Sequence, residues 1–238
     1  MSGLAGWLPE LLASILASVL AITLHEAAHG YAALALGDDT AKRMGRLSLN
    51  PLRHVDQVGT ILLPGFLLLT QLLTVGRVEF MFGWAKPVPV DIMALRNPRR
   101  GMMIVAAAGP AMNFLLAWIA GLLAHPVDLW GNLLSPDSLG VAYRFLGLCI
   151  LANLVLGLFN LLPIPPLDGG RIVAGLLPRS LALPYMRLER WGILIVLFVV
   201  FLLPRLTDGV DPVGWALRNV VAEAFGLVVL LSGNGASP

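Results

Sequence analysis

Charge is scarce in this chain. Of 238 residues, 13% are Asp, Glu, Lys or Arg while 58% are hydrophobic. A water-soluble domain carries about a quarter charged residues, so this deficit excludes an ordinary soluble protein and points to lipid as the solvent. Cysteine is nearly absent too. The one residue, Cys149, lies inside an apolar run, which rules out a disulfide framework and a cysteine-built metal site. It reads as a small buried hydrophobe. Basic stripes with interleaved aromatics are missing and the net charge is only +2, so no nucleic-acid partner is expected. The first Lys or Arg is Lys42, and without a basic leader a removable signal peptide fits poorly.

In place of charge the chain has long apolar runs. A hydrocarbon core of ~30 Å takes about 20 apolar residues to cross. Residues 101–124 carry no charged side chain, and neither does the stretch from Phe145 to Leu167. A first run covers about Trp7 to Leu36, a second about 58–75, and others lie at about 143–162, 188–203 and 213–231. Residues 77–100 read differently. Alternation and prolines in VEFMFGWAKPVPVD predict strand and turn, with Val78 to Val90 as a short exposed edge.

Basic residues mark the cytoplasmic ends of spans. Segments 42–53, 77–100 and 171–190 hold thirteen of the sixteen Lys and Arg residues. That puts the N-terminus outside and these three segments inside. Arg96, Arg99 and Arg100 are expected to anchor against lipid phosphates. The 58–75 run has basic segments on both sides, so a single crossing would leave one of them outside. A re-entrant hairpin bent at Pro64-Gly65 is expected there, giving five or six spans in all and no room for a separate soluble domain.

The chemistry concentrates in His25-Glu26-Ala27-Ala28-His29. On a helix, positions four apart share a face, so both imidazoles can reach one metal ion. Glu26 points to the adjacent face, where it can take a proton from water. Zinc lowers the pKa of bound water toward ~7 and makes hydroxide available at neutral pH. An ionisable residue within a membrane helix costs roughly 2.5–3.5 kcal/mol, and three in little more than a turn need a metal, a partner or water to compensate them. A third protein ligand is required to complete such a site. His54 and His125 lie in polar connections and read as solvated loop residues. Asp168 is the better candidate: it follows a charge-free run, behind helix-breaking prolines 163, 165 and 166 and ahead of Gly169-Gly170. Asparagines in membrane helices commonly bond a neighbouring helix, and that reading stands open for Asn113 and Asn160.

HEAAH, then GPAMN at 109–113, then NLLPIPPLDGG at 160–170, in that order, resemble the site-2 protease family of intramembrane zinc metalloproteases, peptidase family M50. FGWAKPVPVD at 82–91 and NPRRGM at 97–102 resemble its compact prokaryotic branch. The resemblance covers about residues 20–172. It implies one Zn2+ per chain held by His25, His29 and Asp168, with Glu26 as catalytic acid and base. It also implies that one or both of Asn113 and Asn160 help hold the substrate carbonyl or developing oxyanion. The implied fold is an all-α polytopic membrane protein: a three-helix catalytic core, further membrane helices and a small membrane-associated β element. Residues 1–238 would form one protease domain, with the core at about 7–172 and accessory C-terminal helices at about 186–232. Expected partners are the lipid bilayer and transmembrane protein substrates, cut in regulated intramembrane proteolysis at the cytoplasmic side of a prokaryotic plasma membrane. The rival reading is a metal-ion-binding membrane transporter, which accounts for buried His and Asp but gives Glu26 less to do. A structural protein with a vestigial site is the third, and no required residue is missing to favour it.

Overall fold

In the computed structural model, residues 4–74, 76, 83–124, 135–207 and 209–235 are described. Helix α1 spans Leu4–Ala35 and α2 is the short Thr40–Arg43. A π-helical turn, Gln57–Leu62, runs straight into α3, Leu63–Thr74. Then come α4 (Pro98–Ala124), α5 (Pro136–Asn160) and α6 (Asp168–Leu176). The C-terminal part holds α7 (Arg179–Met186), α8 (Gly192–Leu197), α9 (Leu203–Leu206) and α10 (Pro212–Leu231). Among the described residues, five helices are long and apolar enough to cross a membrane: Pro9–Ala35, Gln57–Thr74, Pro98–Ala124, Pro136–Asn160 and Pro212–Leu231. The apolar run at 188–203 is not among them: it begins in a 3-10 turn, and the helical stretch that follows, from α8 through a π-helical turn to α9, covers only 192–206.

Helix ends follow local chemistry. Ser135 caps α5 by accepting the Ser138 N–H, with Pro136 at the first helical position, and Asp211 caps α10 by accepting the Gly214 N–H ahead of Pro212. The last turn of α1 closes through Gly37 at φ +109°, and the Asp38 N–H bonds back to Ala33 O at 2.9 Å.

Helices α1, α4 and α5 pack against one another, α6 packs on α4, and α10 covers α4 and α5. Small residues line these contacts. Ala117, Ala120, Ile150, Leu154, Val221 and Val228 form one buried cluster, and Ala17, Ala21, Ala27 and Ala33 are buried along α1. In lipid there is little hydrophobic drive between helices, so close backbone approach at Ala and Gly has to supply the dispersion that holds them.

Two expectations are corrected. The 58–75 run is not a hairpin: Gln57–Thr74 is one continuous helix, and Leu63 N–H reaches Val58 O five residues back. That wider π register absorbs Pro64, whose missing N–H and ring would otherwise break an α-helix. Only 6% of this helix's apolar window is buried, and Phe66, Leu69 and Leu73 face outward. The small β element is also absent, since no strand occurs among the described residues. Residues 83–90 are extended, but their hydrogen bonds go to scattered partners: Trp84 N–H to Gly59 O, Lys86 N–H to His54 O and Val88 N–H to the Glu26 side chain. No single neighbouring strand receives them, so no ladder forms. The rest of the expected edge, residues 77–82, lies outside the described residues.

Candidate metal centre

His25 and His29 project from one face of α1, and Asp168 is the first residue of α6. The Asp168 Oδ2 lies 3.1 Å from His25 Nε2 and 3.3 Å from His29 Nε2, and the two Nε2 atoms are 3.1 Å apart. A tetrahedral ion with ligands at ~2.0–2.1 Å spaces them by roughly 3.3–3.4 Å, so the three atoms fit one face of a zinc coordination shell. Three protein ligands also leave a catalytic zinc its open position.

The groups behind the ligands agree with this. His29 Nδ1 donates to Val105 O at 2.7 Å, and His25 Nδ1 meets Asn113 Oδ1 at 2.6 Å. With Nδ1 protonated on both rings, each Nε2 turns a lone pair toward the centre. The buried Asp168 Oδ2 then has no hydrogen-bond donor. Buried polar atoms are rarely left so, and a cation answers all three.

Two glycine positions let the elements close in. A Cβ on Gly109 would stand 2.5 Å from His29 Nε2 and 2.6 Å from His25 Cε1, so the GPAMN segment of α4 can lie against the imidazoles only as glycine. Gly170 presses on Pro165, where a Cβ would meet the backbone nitrogen at 2.7 Å. This seats the start of α6, and with it Asp168, against the turn that precedes it.

Glu26 shares a cavity of about 420 Å³ with the three ligands, Asn160 and Trp84. Its Oε2 accepts the Val88 N–H at 2.9 Å. Arg46 donates to the Lys86 and Pro87 carbonyls at 2.9 and 3.3 Å, which steadies the segment carrying that N–H. The two asparagines part company. Asn160 lines the cavity and donates to Leu156 O of its own helix. Asn113 has no exposure and sits behind His25.

Comparison with known proteins decides the family. The chain is 40% identical over 212 residues to YwhC of Bacillus subtilis (strain 168), named as a candidate zinc metalloprotease, covering 89% of this chain and 88% of that one. The model of peptidase family M50 matches residues 123–203. The chain belongs to peptidase family M50. Rip2 of Mycolicibacterium smegmatis, also named as a candidate zinc metalloprotease, is 32% identical over 201 residues, 83% of this chain and 65% of the relative. The zinc metalloprotease MJ0392 of Methanocaldococcus jannaschii is 32% identical over 95 residues, 39% and 25% of the two chains. No solved structure matches.

Several residues of this M50 peptidase escaped the sequence reading. His54 is not solvated: it is buried, and Nε2 donates to Ser48 O at 2.8 Å, tying the 48–54 turn together. His125 lies outside the described residues. Asn153 is buried between helices, and its signal was available as a second Asn two turns before Asn160 on an apolar helix. Asp38 drew no reading from sequence, yet it is fully buried and accepts the Thr40 and Asp91 N–H groups at 2.9 and 2.7 Å. Burial works against its charge, but these hydrogen bonds outweigh that and hold its carboxyl below the ordinary range. The Val88 amide could not be found from sequence, because a backbone donor leaves no residue-type signature.

Proposed function

We propose that this M50 zinc metalloprotease hydrolyses peptide bonds within or near the transmembrane segments of membrane-protein substrates, in regulated intramembrane proteolysis. The observation that carries the reading is the convergence of His25, His29, Asp168 and Glu26 on one cavity, the first two and Glu26 from a helix able to cross the membrane. His25 lies just past the middle of the Pro9–Ala35 span, so a bond brought to it is cut inside the bilayer. The whole chain acts as one protease domain, with its core at about 7–172 and accessory helices after 186. Basic residues in the 42–53 and 171–190 segments support a cytoplasmic site in a prokaryotic plasma membrane.

His25, His29 and Asp168 would hold the zinc, which when bound supplies positive charge to polarise a carbonyl and acidify water. Glu26 Oε1, with no hydrogen-bond partner among the described residues, takes the proton of the attacking water and passes it to the leaving amine. The Val88 N–H keeps Oε2 occupied, so the carboxylate presents one defined oxygen. Asn160 holds the substrate carbonyl from the cavity wall, and Asn113 keeps His25 oriented.

Purified wild type and Glu26→Gln, each reconstituted with a model transmembrane substrate, test this with bound zinc quantified in both. Wild type should cut while Glu26→Gln, carrying the same zinc, loses roughly 10²–10⁴-fold in turnover, the range general acid–base catalysis supplies. Equal cutting by both would remove Glu26 from the chemistry. If neither cuts although zinc is bound, uptake of zinc into vesicles is the assay for the transporter reading.

A further inference from the structure

Behind His25 lies a chain of amides whose direction is set from outside the metal centre. Cys149 O, a backbone carbonyl that can only accept, takes a hydrogen bond from Asn153 Nδ2 at 2.9 Å. Asn153 therefore turns its Oδ1 toward Asn113, whose Nδ2 donates to it at 2.9 Å. The same Nδ2 reaches Ala21 O at 3.3 Å, a longer bond that asks for the same orientation. Asn113 then has only Oδ1 left to face His25 Nδ1. An acceptor there requires Nδ1 to carry the ring proton, which leaves the Nε2 lone pair for the metal.

We infer that Asn153 is a positioning residue for zinc: it fixes the direction of the Asn113 amide, and through it the metal-binding tautomer of His25. The inference rests on the zinc reading of the site. Asn153, Asn113 and His25 are 4%, 0% and 5% exposed, and each sits on a different helix of the α5, α4, α1 cluster. Burial of this degree shields the amides from bulk water, so a reversed Asn113 would set its Oδ1 against Asn153 Oδ1 and turn its NH2 to His25, favouring the ring tautomer with the proton on Nε2, which cannot bind metal. Reversal is costly only while acceptors hold Nδ2, and Asn153 supplies the shorter of the two. Gly157, one turn beyond Asn153, adds the room: a Cβ there would lie 3.2 Å from the Asn113 Cβ.

The test is a double-mutant cycle read as zinc affinity, by chelator competition on purified protein, with unfolding of the zinc-free forms followed in parallel. Asn153→Leu keeps the volume and removes the acceptor, and should weaken zinc binding about tenfold, the lower end of what partners behind a ligand contribute. Asn153→Asp accepts from Asn113 in either protonation state and should stay within about threefold of wild type. In an Asn113→Leu background, adding Asn153→Leu should change zinc affinity less than about twofold, since its route to His25 is already gone. Wild-type affinity in Asn153→Leu, or the same loss with and without Asn113, overturns the relay and leaves Asn153 as packing. If wild type itself binds no zinc, the metal reading fails and the relay fails with it.

Discussion

The three proposed ligands and the proposed general base are set within little more than one turn of α1 and at the start of α6, yet what stands behind them differs in kind. Each histidine is backed from inside the helical cluster, His25 by the buried Asn113 and His29 by the Val105 carbonyl, with Gly109 pressed against both rings. Glu26 is backed from outside, by a single amide on the extended 83–90 segment. That segment is in turn fastened to Arg46, His54 and Gly59 in the connections and the sparsely buried Gln57–Thr74 helix. The proposed ligand geometry is thus tied to the buried helical cluster, and base geometry to the connections around it. Zinc affinity and turnover should therefore respond to different mutations.

The largest expected effect lies on the ligand side. Gly109→Ala drives a methyl group into both imidazoles and should cost more than about 100-fold in zinc affinity, beyond the range of changes that only touch a ligand's partner. Zinc per chain after dialysis checks it, and near-normal loading would show that α4 is not the wall the packing implies. On the base side, Val88→Pro removes the N–H on Glu26 within a segment that already holds Pro87 and Pro89. Turnover should fall roughly tenfold, a part of what acid–base catalysis supplies, with zinc content unchanged. A parallel fall in zinc would break the comparison, because it would tie the base side to the ligands.

The smallest effect concerns Asp38, which joins the end of α1 to residue 91 and so spans the two regions. Asp38→Asn turns one N–H acceptor into a donor and should cost about 1–3 kcal/mol of stability with little change in zinc affinity. Its pH dependence has a definite sign. The folded carboxyl titrates below the unfolded one, so the stabilisation is fully present above the ordinary Asp range and is lost as pH falls through the folded pKa. Thermal scans from pH 6 to 3 should show wild type losing its margin over Asp38→Asn. A constant margin would assign the acid sensitivity elsewhere.

What could be read from sequence was set by spacing on a helix. HEAAH on an apolar run puts two imidazoles on one face, and an acid after PIPPL at a membrane edge calls for a reason. The structure brings these three side chains together. Apolar length likewise marked the five membrane-length helices among the described residues, though it also marked 188–203, and 58–75 was read as a hairpin. The extended 83–90 segment has the alternation of a strand, but alternation cannot say whether one neighbour or several will take its hydrogen bonds. Pro64-Gly65 has the composition of a bend, and the π turn that rescues the helix follows from backbone register rather than from residue type. Asn153 was available as a second amide on an apolar helix, but an amide carries no address for its partner.

The wide separation of the proposed ligands along the chain bears on how the protein is made. Asp168 is synthesised 143 residues after His25. At ~5–20 residues per second, α1 waits on the order of ten seconds in the translocon or bilayer before its carboxylate partner exists. During that interval two histidines and a glutamate have neither Asn113 nor Asp168 to meet them, so the newborn helix must keep water or chaperoning protein at its polar face. Metal loading then belongs to the close of biogenesis, once the last ligand has left the ribosome.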